Sequence, residues 1–172
     1  MIVTTSPAGL KPLWKSWACA IAAGLLLAGC QTAPAPTGLS PAQIAVLQRE
    51  GFALTSEGWE LGLSDKVLFG FNEDLIDGER AANVQRIGRA LSGAGIVRLR
   101  VDGHTDDAGS AEYNQSLSVR RAEAVARLLA GAGFARENIE VRGLGKSRPV
   151  ADNRTAAGRA ENRRVAIIVS VD

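Results

Sequence analysis

The sequence predicts an α/β sandwich in which a four-stranded mixed sheet packs on helices, in the chain order β-α-β-α-β-β. Two patterns predict it: segments in which hydrophobic and polar residues alternate take turns with segments whose hydrophobic residues recur every three or four positions. An ordinary globular composition, with 46% hydrophobic and 22% charged residues, excludes collagen-like, low-complexity and wholly disordered chains. A single domain over 58–172 accommodates these elements, and no internal repeat is visible.

The strands are predicted from short hydrophobic runs. The first begins where Trp59, Leu61 and Leu63 alternate with polar residues or glycine. The last contains Ile167 and Ile168, which would point to opposite faces, so this strand is expected in the centre of the sheet. The four predicted strands cover 58–69, 97–101, 139–141 and 165–171.

The two long helices are predicted over 77–92 and 114–130, each with one hydrophobic stripe and with glycines after its last turn. A shorter helix is predicted over 41–50, because Ser40 is a favourable N-cap and Gln43 completes a capping box with it. A helix of this length is marginal in isolation, so it is expected to pack against the domain.

The N-terminal segment 1–29 is predicted to be a secretory signal. It carries Lys11 and Lys15, which account for the formal net charge of +2, and then an apolar run over 18–28 that is too short to span a bilayer. Its end, Leu27-Ala28-Gly29-Cys30, resembles the bacterial lipobox, which implies that Cys30 is acylated and becomes the first residue of the mature chain. The alternative is a short hydrophobic anchor that contains a Cys by accident.

The residue after the cysteine indicates in which membrane the lipoprotein is located. It is Gln31, whereas Asp at this position favours inner-membrane retention in the lipoproteins that this segment resembles. The expected location is the periplasmic face of the outer membrane. The lipidated Cys and a tether rich in Pro, Ala and Thr occupy 30–40, the short helix and a linker 41–57, and the domain 58–172. Because the charges of this body cancel, broad electrostatic binding of nucleic acid is not expected.

A candidate binding site follows the second strand. The run Gly103-His104-Thr105-Asp106 leads into the second long helix, on which Asn114 and Arg121 lie seven residues apart and therefore on nearly the same face. Asp106 suits an ammonium group, and Arg121 suits a carboxylate that it binds bidentately. This pair predicts a receptor for a zwitterion. The alternative is an internal Asp106–Arg121 salt bridge without a ligand.

Four motifs in order resemble the OmpA-like peptidoglycan-binding domain over about 60–172. They are Gly103-His104-Thr105-Asp106, then Tyr113-Asn114 with Leu117-Ser118 and Arg121-Ala122, then Gly143-Leu144-Gly145 with Pro149, and finally Asn153, Gly158-Arg159 and Asn162-Arg163-Arg164-Val165. The resemblance implies non-covalent binding of peptidoglycan through the diaminopimelate residue of its stem peptide, with Asp106 and Arg121 as the charged contacts. It places further contacts at Phe71, Asn72, Thr105, Asn114 and Leu117. Asn72 and Asp107 stand where the family often has Asp and Asn.

Within that family, the stretch 48–55 with Gly58-Trp59-Glu60 and Val67-Leu68-Phe69-Gly70 is similar to YfiB-type lipoproteins. This similarity implies a periplasmic repressor as partner, whose capture releases an inner-membrane diguanylate cyclase and raises cyclic di-GMP. We expect its contact at Leu47, Phe52 and Trp59. Two alternatives stay open: these residues pack on the domain's own surface, or the protein is a passive anchor that ties the outer membrane to the cell wall. A homodimer is not excluded.

The sequence does not predict an enzyme. His104 is the only histidine and no G-x-S-x-G elbow is present, so the parts of a hydrolase are missing. A metal set of Asp102, His104, Asp106 and Asp107 lacks a second His or Cys, and we expect neither a metal nor a cofactor. The sequence leaves open which of the two arginines before the last strand, Arg163 or Arg164, faces the cleft.

Overall fold

The computed structural model describes residues 38–69, 76 and 78–170. The predictions on the signal segment 1–29, on Cys30 and the rest of the tether up to 37, and on Phe71 and Asn72 lie outside the described residues. Among those that are described, no helix is both long enough and apolar enough to cross a bilayer.

The described residues fold into one five-stranded sheet with helices, which confirms the predicted mixed α/β class. The sheet order is β1-β2-β5-β3-β4; its pairs are antiparallel except β3 with β4, which is parallel. The strands are β1 Ala53–Thr55, β2 Gly58–Ser64, β3 Leu99–His104, β4 Ile139–Gly143 and β5 Arg164–Val169. The helices are α1 Pro41–Arg49, α2 Asp65–Leu68, α3 Gly78–Gly93, α4 Ala111–Ala130 and α5 Ala156–Asn162, with a 3-10 turn at Arg136–Asn138.

The strand count is five where the sequence predicts four. The additional strand is β1, which pairs with β2 through the register Leu54 opposite Trp59. The predicted domain boundary at 58 therefore passes through a hairpin, and the linker 41–57 packs with the domain. The predicted first strand, 58–69, ends at Ser64, because the chain turns there into the short helix α2. The prediction of a central last strand is correct, since β5 lies between β2 and β3.

Two glycines allow α4 to lie directly on the sheet. A Cβ atom at Gly103 in β3 would overlap the backbone oxygen of Ser118, and one at Gly143 in β4 would overlap the side chain of Val119. The close approach brings the N-terminal half of α4 beside the carboxyl ends of both strands. This end of the sheet therefore carries the residues that the sequence singled out for binding.

Helix α1 begins and ends almost as predicted. The capping box is present, with Ser40 Oγ accepting from the N–H of Gln43 and the Gln43 side chain accepting from the N–H of Ser40 at 2.9 Å. The same glutamine donates through Nε2 to the carbonyl oxygen of Gly95 at 3.1 Å. Glu50 accepts from Arg86 of α3 at 2.6 Å, so one hydrogen bond and one ion pair fasten α1 to the domain.

The residues predicted as a partner patch are buried in this structure. Leu47, Phe52 and Trp59 are 0%, 4% and 8% exposed and belong to the hydrophobic core. They do not form an open surface in this conformation, because Leu47 of α1 packs with Phe52 and Trp59 in the same core, and their contact with a partner stays a prediction. The alternative, packing within the domain itself, describes what the structure shows.

Candidate ligand-binding site

The loop between β3 and α4 is held by its own polar side chains. The N–H of Thr105 donates to the carbonyl oxygen of Gly145 at 2.9 Å, and its hydroxyl donates to the carbonyl oxygen of Asp106 at 2.9 Å. The amide of Asn114, which is 2% exposed, donates to the carbonyl oxygen of Ala108 at 2.7 Å. Thr105 and Asn114 therefore shape the loop. Leu117 is half-buried in the second turn of α4.

A residue that the sequence analysis did not single out joins this loop to the next one. Ser118 is fully buried; its Oγ accepts from the N–H of Gly145 at 3.0 Å and donates to the carbonyl oxygen of Gln115 at 2.8 Å. The loops after β3 and β4 are therefore tied to one side of α4. Its place in the Leu117-Ser118 motif was the only signal for this role.

Four charged side chains form an alternating chain, which we call the charge quartet: Asp106, Arg163, Asp65 and Arg121. Arg163 Nη1 lies 2.7 Å from Asp106 Oδ2, and Arg163 Nε lies 3.5 Å from Asp65 Oδ2. Arg121 Nη2 lies 3.1 Å from Asp65 Oδ1. The structure thus assigns Arg163 to the site and Arg164 to β5, which the sequence could not decide.

The quartet differs from both arrangements that the sequence predicted. Asp106 and Arg121 do not form the internal salt bridge of the second alternative, since each pairs with another residue of the quartet. They also do not stand open across a cleft, because both already have a partner. Asp106 Oδ1 accepts in addition from the N–H of Ala108 at 3.1 Å, so this carboxylate is held by its loop.

Arg121 is a buried cation whose hydrogen bonds are incomplete. It is 8% exposed, and its guanidinium carbon lies 5.1 Å from the centre of the Phe69 ring. Within the described part of the chain, Arg121 Nε and Asp65 Oδ1 have no hydrogen-bond partner. The 3.1 Å contact between Arg121 and Asp65 is therefore an ion pair without hydrogen-bond alignment. Leaving a buried charged donor unsatisfied costs free energy, which favours a further acceptor at this guanidinium.

The carboxyl of Asp65 is less acidic than usual. Its burial raises its pKa, and the guanidinium groups of Arg121 and Arg163 act in the opposite direction. With both acids ionised, the two arginines balance them, so the quartet is electrically neutral as a whole. A neutral quartet accommodates a ligand that carries both signs better than one that carries a single net charge.

His104 precedes the site but does not join the quartet. It is 5% exposed, and its Nδ1 has no hydrogen-bond partner among the described residues. Burial, followed by the charge of Arg164, lowers the pKa of His104 to about 4. This histidine is therefore neutral at pH 7.

A second group of charges lies on the sheet face. Asp102, 4% exposed, accepts from Arg142 Nε and Nη2 at 2.9 Å and 2.6 Å and lies 3.2 Å from Arg100 Nε. Arg100 also donates to Glu57 at 2.7 Å, which links the β1–β2 turn to β3. We assign these ion pairs a structural role, in which they stabilise the folded sheet. Within the described ranges, no three His, Cys, Asp or Glu side chains are placed to hold a metal ion.

A cavity of about 690 Å³ lies at the other end of the sheet. It is lined by residues at the start of β3, including Leu99, and by residues near the start of α1, including Leu39 and Gln43. Because Asp106 follows the opposite end of β3, this cavity does not belong to the quartet. The buried, incompletely bonded charges make the quartet the better candidate for a ligand.

Comparison with known proteins gives a consistent picture. The model of the OmpA family matches residues 68–163. The chain is 58% identical over 146 residues to the outer-membrane lipoprotein YfiB of Pseudomonas aeruginosa, covering 85% of this chain and 87% of that protein. It is 43% identical over 148 residues to the putative lipoprotein YfiB of Escherichia coli, covering 85% and 91%. The crystal structure of the peptidoglycan-associated lipoprotein from Burkholderia pseudomallei superposes with a TM-score of 0.53 at 31% identity, covering 62% and 87%.

Proposed function

The chain belongs to the OmpA family, and on that basis we propose that it binds peptidoglycan non-covalently, taking the diaminopimelate side chain of the stem peptide at Asp106 and Arg121. It is a non-enzymatic lipoprotein of the outer membrane, on the periplasmic face. We place its signal peptide at 1–29 and its acylated cysteine at Cys30. We place the residues that bind the wall within 58–172, and 41–57 packs with this part of the chain.

One observation carries the ligand assignment: the buried guanidinium of Arg121 has an Nε–H without an acceptor among the described residues. Nε and Nη2 of an arginine form a fork that matches the two oxygens of a carboxylate. A ligand carboxylate there would satisfy Nε and replace the poorly aligned contact with Asp65. The stacking on Phe69 supports this role, because it keeps the guanidinium plane fixed.

Asp106 supplies the acidic half of the proposed site. Its side chain is 13% exposed and one of its oxygens is held by the loop, while the other contacts Arg163. The diaminopimelate side chain ends in an amine and a carboxylate on one carbon, so it offers opposite charges a short distance apart. Thr105 and Asn114 support the loop around Asp106, and we propose Leu117, Phe71 and Asn72 as the remaining contacts on the strength of the family resemblance.

Sedimentation with purified peptidoglycan tests the proposal. We expect Asp106→Ala and Arg121→Ala each to weaken binding by about 2–5 kcal/mol, as for the loss of one member of a buried charged contact. Arg127→Ala and Asp152→Ala are matched controls, because both side chains are exposed and away from the quartet. Variants at 106 and 121 that sediment with peptidoglycan like the wild type would exclude the site.

We propose a second, regulatory function, favoured by the burial of Leu47 of α1 with Phe52 and Trp59 in one hydrophobic core. In this proposal the protein captures a periplasmic repressor of an inner-membrane diguanylate cyclase, as the similarity to YfiB-type lipoproteins implies. Phe52 and Trp59 share one hydrophobic core with Leu47 of α1, and few polar contacts hold this short helix, so Phe52, Trp59 and the apolar face of α1 become available when α1 leaves the domain. Extending its nine residues would lengthen the tether by roughly 17 Å, which couples stretching to capture.

Co-precipitation of the purified repressor tests this second proposal. Gln43→Ala removes the capping box of α1 and its hydrogen bond to Gly95, so we expect more capture than with the wild type, whereas Trp59→Ala removes part of the contact and should capture less. Gln48→Ala is the matched control, because Gln48 is exposed on the same helix. Equal capture by Gln43→Ala, Trp59→Ala and the wild type would remove the proposed surface and leave the passive anchor of the outer membrane as the function.

A further inference from the structure

We propose that Asp65 and Arg163 act as an internal stand-in for the ligand. In the free protein Asp65 pairs with Arg121 and Arg163 pairs with Asp106, and the ligand displaces both. This inference rests on the proposed function of the site. It assigns roles to two residues that neither the sequence patterns nor the family resemblance had marked as ligand contacts.

The contacts have the arrangement that a stand-in requires. The carboxylate of Asp65 lies against Arg121 at 3.1 Å, where the ligand carboxylate is proposed to bind. The guanidinium of Arg163 lies against Asp106 at 2.7 Å, where the ligand amine is proposed to bind. Asp65 and Arg163 also face each other at 3.5 Å. Together they present one negative and one positive group to the site, as the zwitterionic end of diaminopimelate does.

The backbone holds these two residues together. The N–H of Asp65, at the start of α2, donates to the carbonyl oxygen of Arg163 at 2.9 Å. Their neighbours are paired with each other: Ser64 is the last residue of β2 and Arg164 is the first residue of β5. The stand-in is therefore built on the ends of two adjacent strands, whereas its targets belong to α4 and to the loop after β3. Side chains from separate elements can exchange partners without a change of fold.

The geometry of the Arg121–Asp65 ion pair makes Asp65 easy to displace. The Arg121–Asp65 pair lacks hydrogen-bond alignment, and it leaves Arg121 Nε and Asp65 Oδ1 unpaired among the described residues. Burial also raises the pKa of the Asp65 carboxyl. Both features weaken the hold of Asp65 on Arg121 relative to a well-aligned, bidentate carboxylate.

Ligand binding then becomes an exchange of ion pairs. The ligand amine takes Asp106 from Arg163, the ligand carboxylate takes Arg121 from Asp65, and the two released side chains pair with each other. When the ligand is a zwitterion, every charged group of the quartet therefore has a partner of opposite charge both before and after binding. A ligand that lacks the carboxylate leaves this exchange incomplete, and an incomplete exchange is costly because it leaves a buried charge unpaired. The stand-in therefore selects for a group with both charges.

The test uses a peptide probe in two forms, titrated calorimetrically into the full chain in detergent. The first form is L-Ala-γ-D-Glu-meso-diaminopimelate, and the second is the same tripeptide with the side-chain carboxylate of diaminopimelate amidated. We expect Asp65→Asn to bind the acid form about fivefold more tightly than the wild type, because a competing negative charge beside Arg121 is gone. We expect Arg163→Gln to bind the amidated form about fivefold more tightly, because the competitor of the ligand amine is gone.

The controls separate this role from a structural one. Asp152→Asn and Arg154→Gln alter an exposed ion pair of 2.8 Å elsewhere in the domain and should leave both affinities unchanged. If Asp65→Asn prevents folding, the comparison of Arg163→Gln with Arg163→Lys decides, since Lys retains the competing charge and should bind like the wild type. Weaker binding of both probes by Asp65→Asn and Arg163→Gln would overturn the stand-in.

The outcome also distinguishes the two proposals. Loss of binding in Asp106→Ala and Arg121→Ala, together with weaker binding in the variants at 65 and 163, would retain the peptidoglycan site and reject the stand-in. Two results together would reject the proposed function and the stand-in with it. The wild type would bind neither probe, and Asp106→Ala would bind peptidoglycan with the same affinity as the wild type.

Discussion

At the scale of single residues, the chemistry of the site depends on charges that are buried but not fully bonded. Arg121 is stacked on Phe69 and has one donor without an acceptor among the described residues. Such a group is unfavourable in the free protein and favourable once a carboxylate completes it. The same incompleteness that lowers the stability of the free site therefore supplies part of the proposed binding free energy.

The fork of Arg121 is expected to matter beyond its charge. Arg121→Lys keeps the positive charge but loses the paired Nε and Nη2 donors and the flat face against Phe69. We expect this variant to bind the acid tripeptide about tenfold or more weakly than the wild type. Calorimetric titration measures the change, and a Lys variant with wild-type affinity would show that only the charge is used.

His104 should make stability depend on pH. Its pKa is about 4 in the folded protein, below the usual value near 6.5, so the unfolded chain takes up a proton first as the pH falls. The contribution of His104 to the free energy of unfolding is therefore largest above about pH 6.5 and declines toward pH 4. The decline between pH 7 and pH 5 is about 2 kcal/mol. Urea unfolding at both pH values measures it, and because this is the only histidine, His104→Asn should remove most of the difference.

The sequence predicted Asp106 and Arg121 because the first follows a recognisable strand, the second lies on a recognisable helix, and their charges are complementary. It did not predict that Asp65 lies at the site, and it did not decide whether Arg163 or Arg164 faces the cleft. Asp65 and Arg163 reach the site only through the pairing of β2 with β5. Ion partners that come from distant parts of the chain depend on three-dimensional geometry, and no local pattern encodes that geometry.

At the scale of elements, the site depends on how closely α4 lies on the sheet. Gly103 and Gly143 permit that approach because any larger residue would overlap α4. The helix carries Arg121, and the strand below it leads to Asp106. The spacing between the two proposed charged contacts is therefore set by this packing.

Replacing Gly103 by Ala tests that dependence. The added Cβ would overlap the Ser118 backbone oxygen, so we expect a loss of about 3 kcal/mol in the free energy of unfolding and weaker binding of the tripeptide. Gly93→Ala is the control, since nothing lies within 4 Å of its added Cβ, and it should change stability by less than about 0.5 kcal/mol. Equal stability of the two variants would contradict the packing argument.

The elements themselves were largely predictable. The capping box of α1 and the hydrophobic stripes of α3 and α4 are local signals, and these helices lie within a few residues of their predicted bounds. The hairpin strand β1 was missed because its three residues are all exposed and show no alternation. The sequence left open whether Leu47, Phe52 and Trp59 pack on the domain or contact a partner, because a hydrophobic residue looks the same in a sequence whether it packs inward or outward.

At the scale of the whole molecule, the protein is a neutral domain joined to a proposed lipid anchor. The net charge of +2 comes from Lys11 and Lys15, which lie in the proposed signal peptide. Many tethered copies facing one polymer gain from a high effective concentration. A modest affinity of each domain would therefore still hold the outer membrane to the wall.

The balance of charge predicts weak dependence on salt. Because the domain is neutral overall, and the group proposed to enter the quartet carries one charge of each sign, binding should release few counterions and involve little long-range attraction. We expect the affinity for the tripeptide to change by less than about threefold between 50 and 300 mM NaCl. A steep fall with salt, measured by the same titration, would indicate binding to a general charged surface instead of the quartet.

The most direct test observes the Arg121 Nε–H itself, by ¹⁵N NMR of arginine side chains during addition of the tripeptide. We expect this signal to move toward the hydrogen-bonded position with the acid form and to move little with the amidated form. A wild-type protein that binds the acid form while the Arg121 Nε–H signal stays in place would contradict the proposed site.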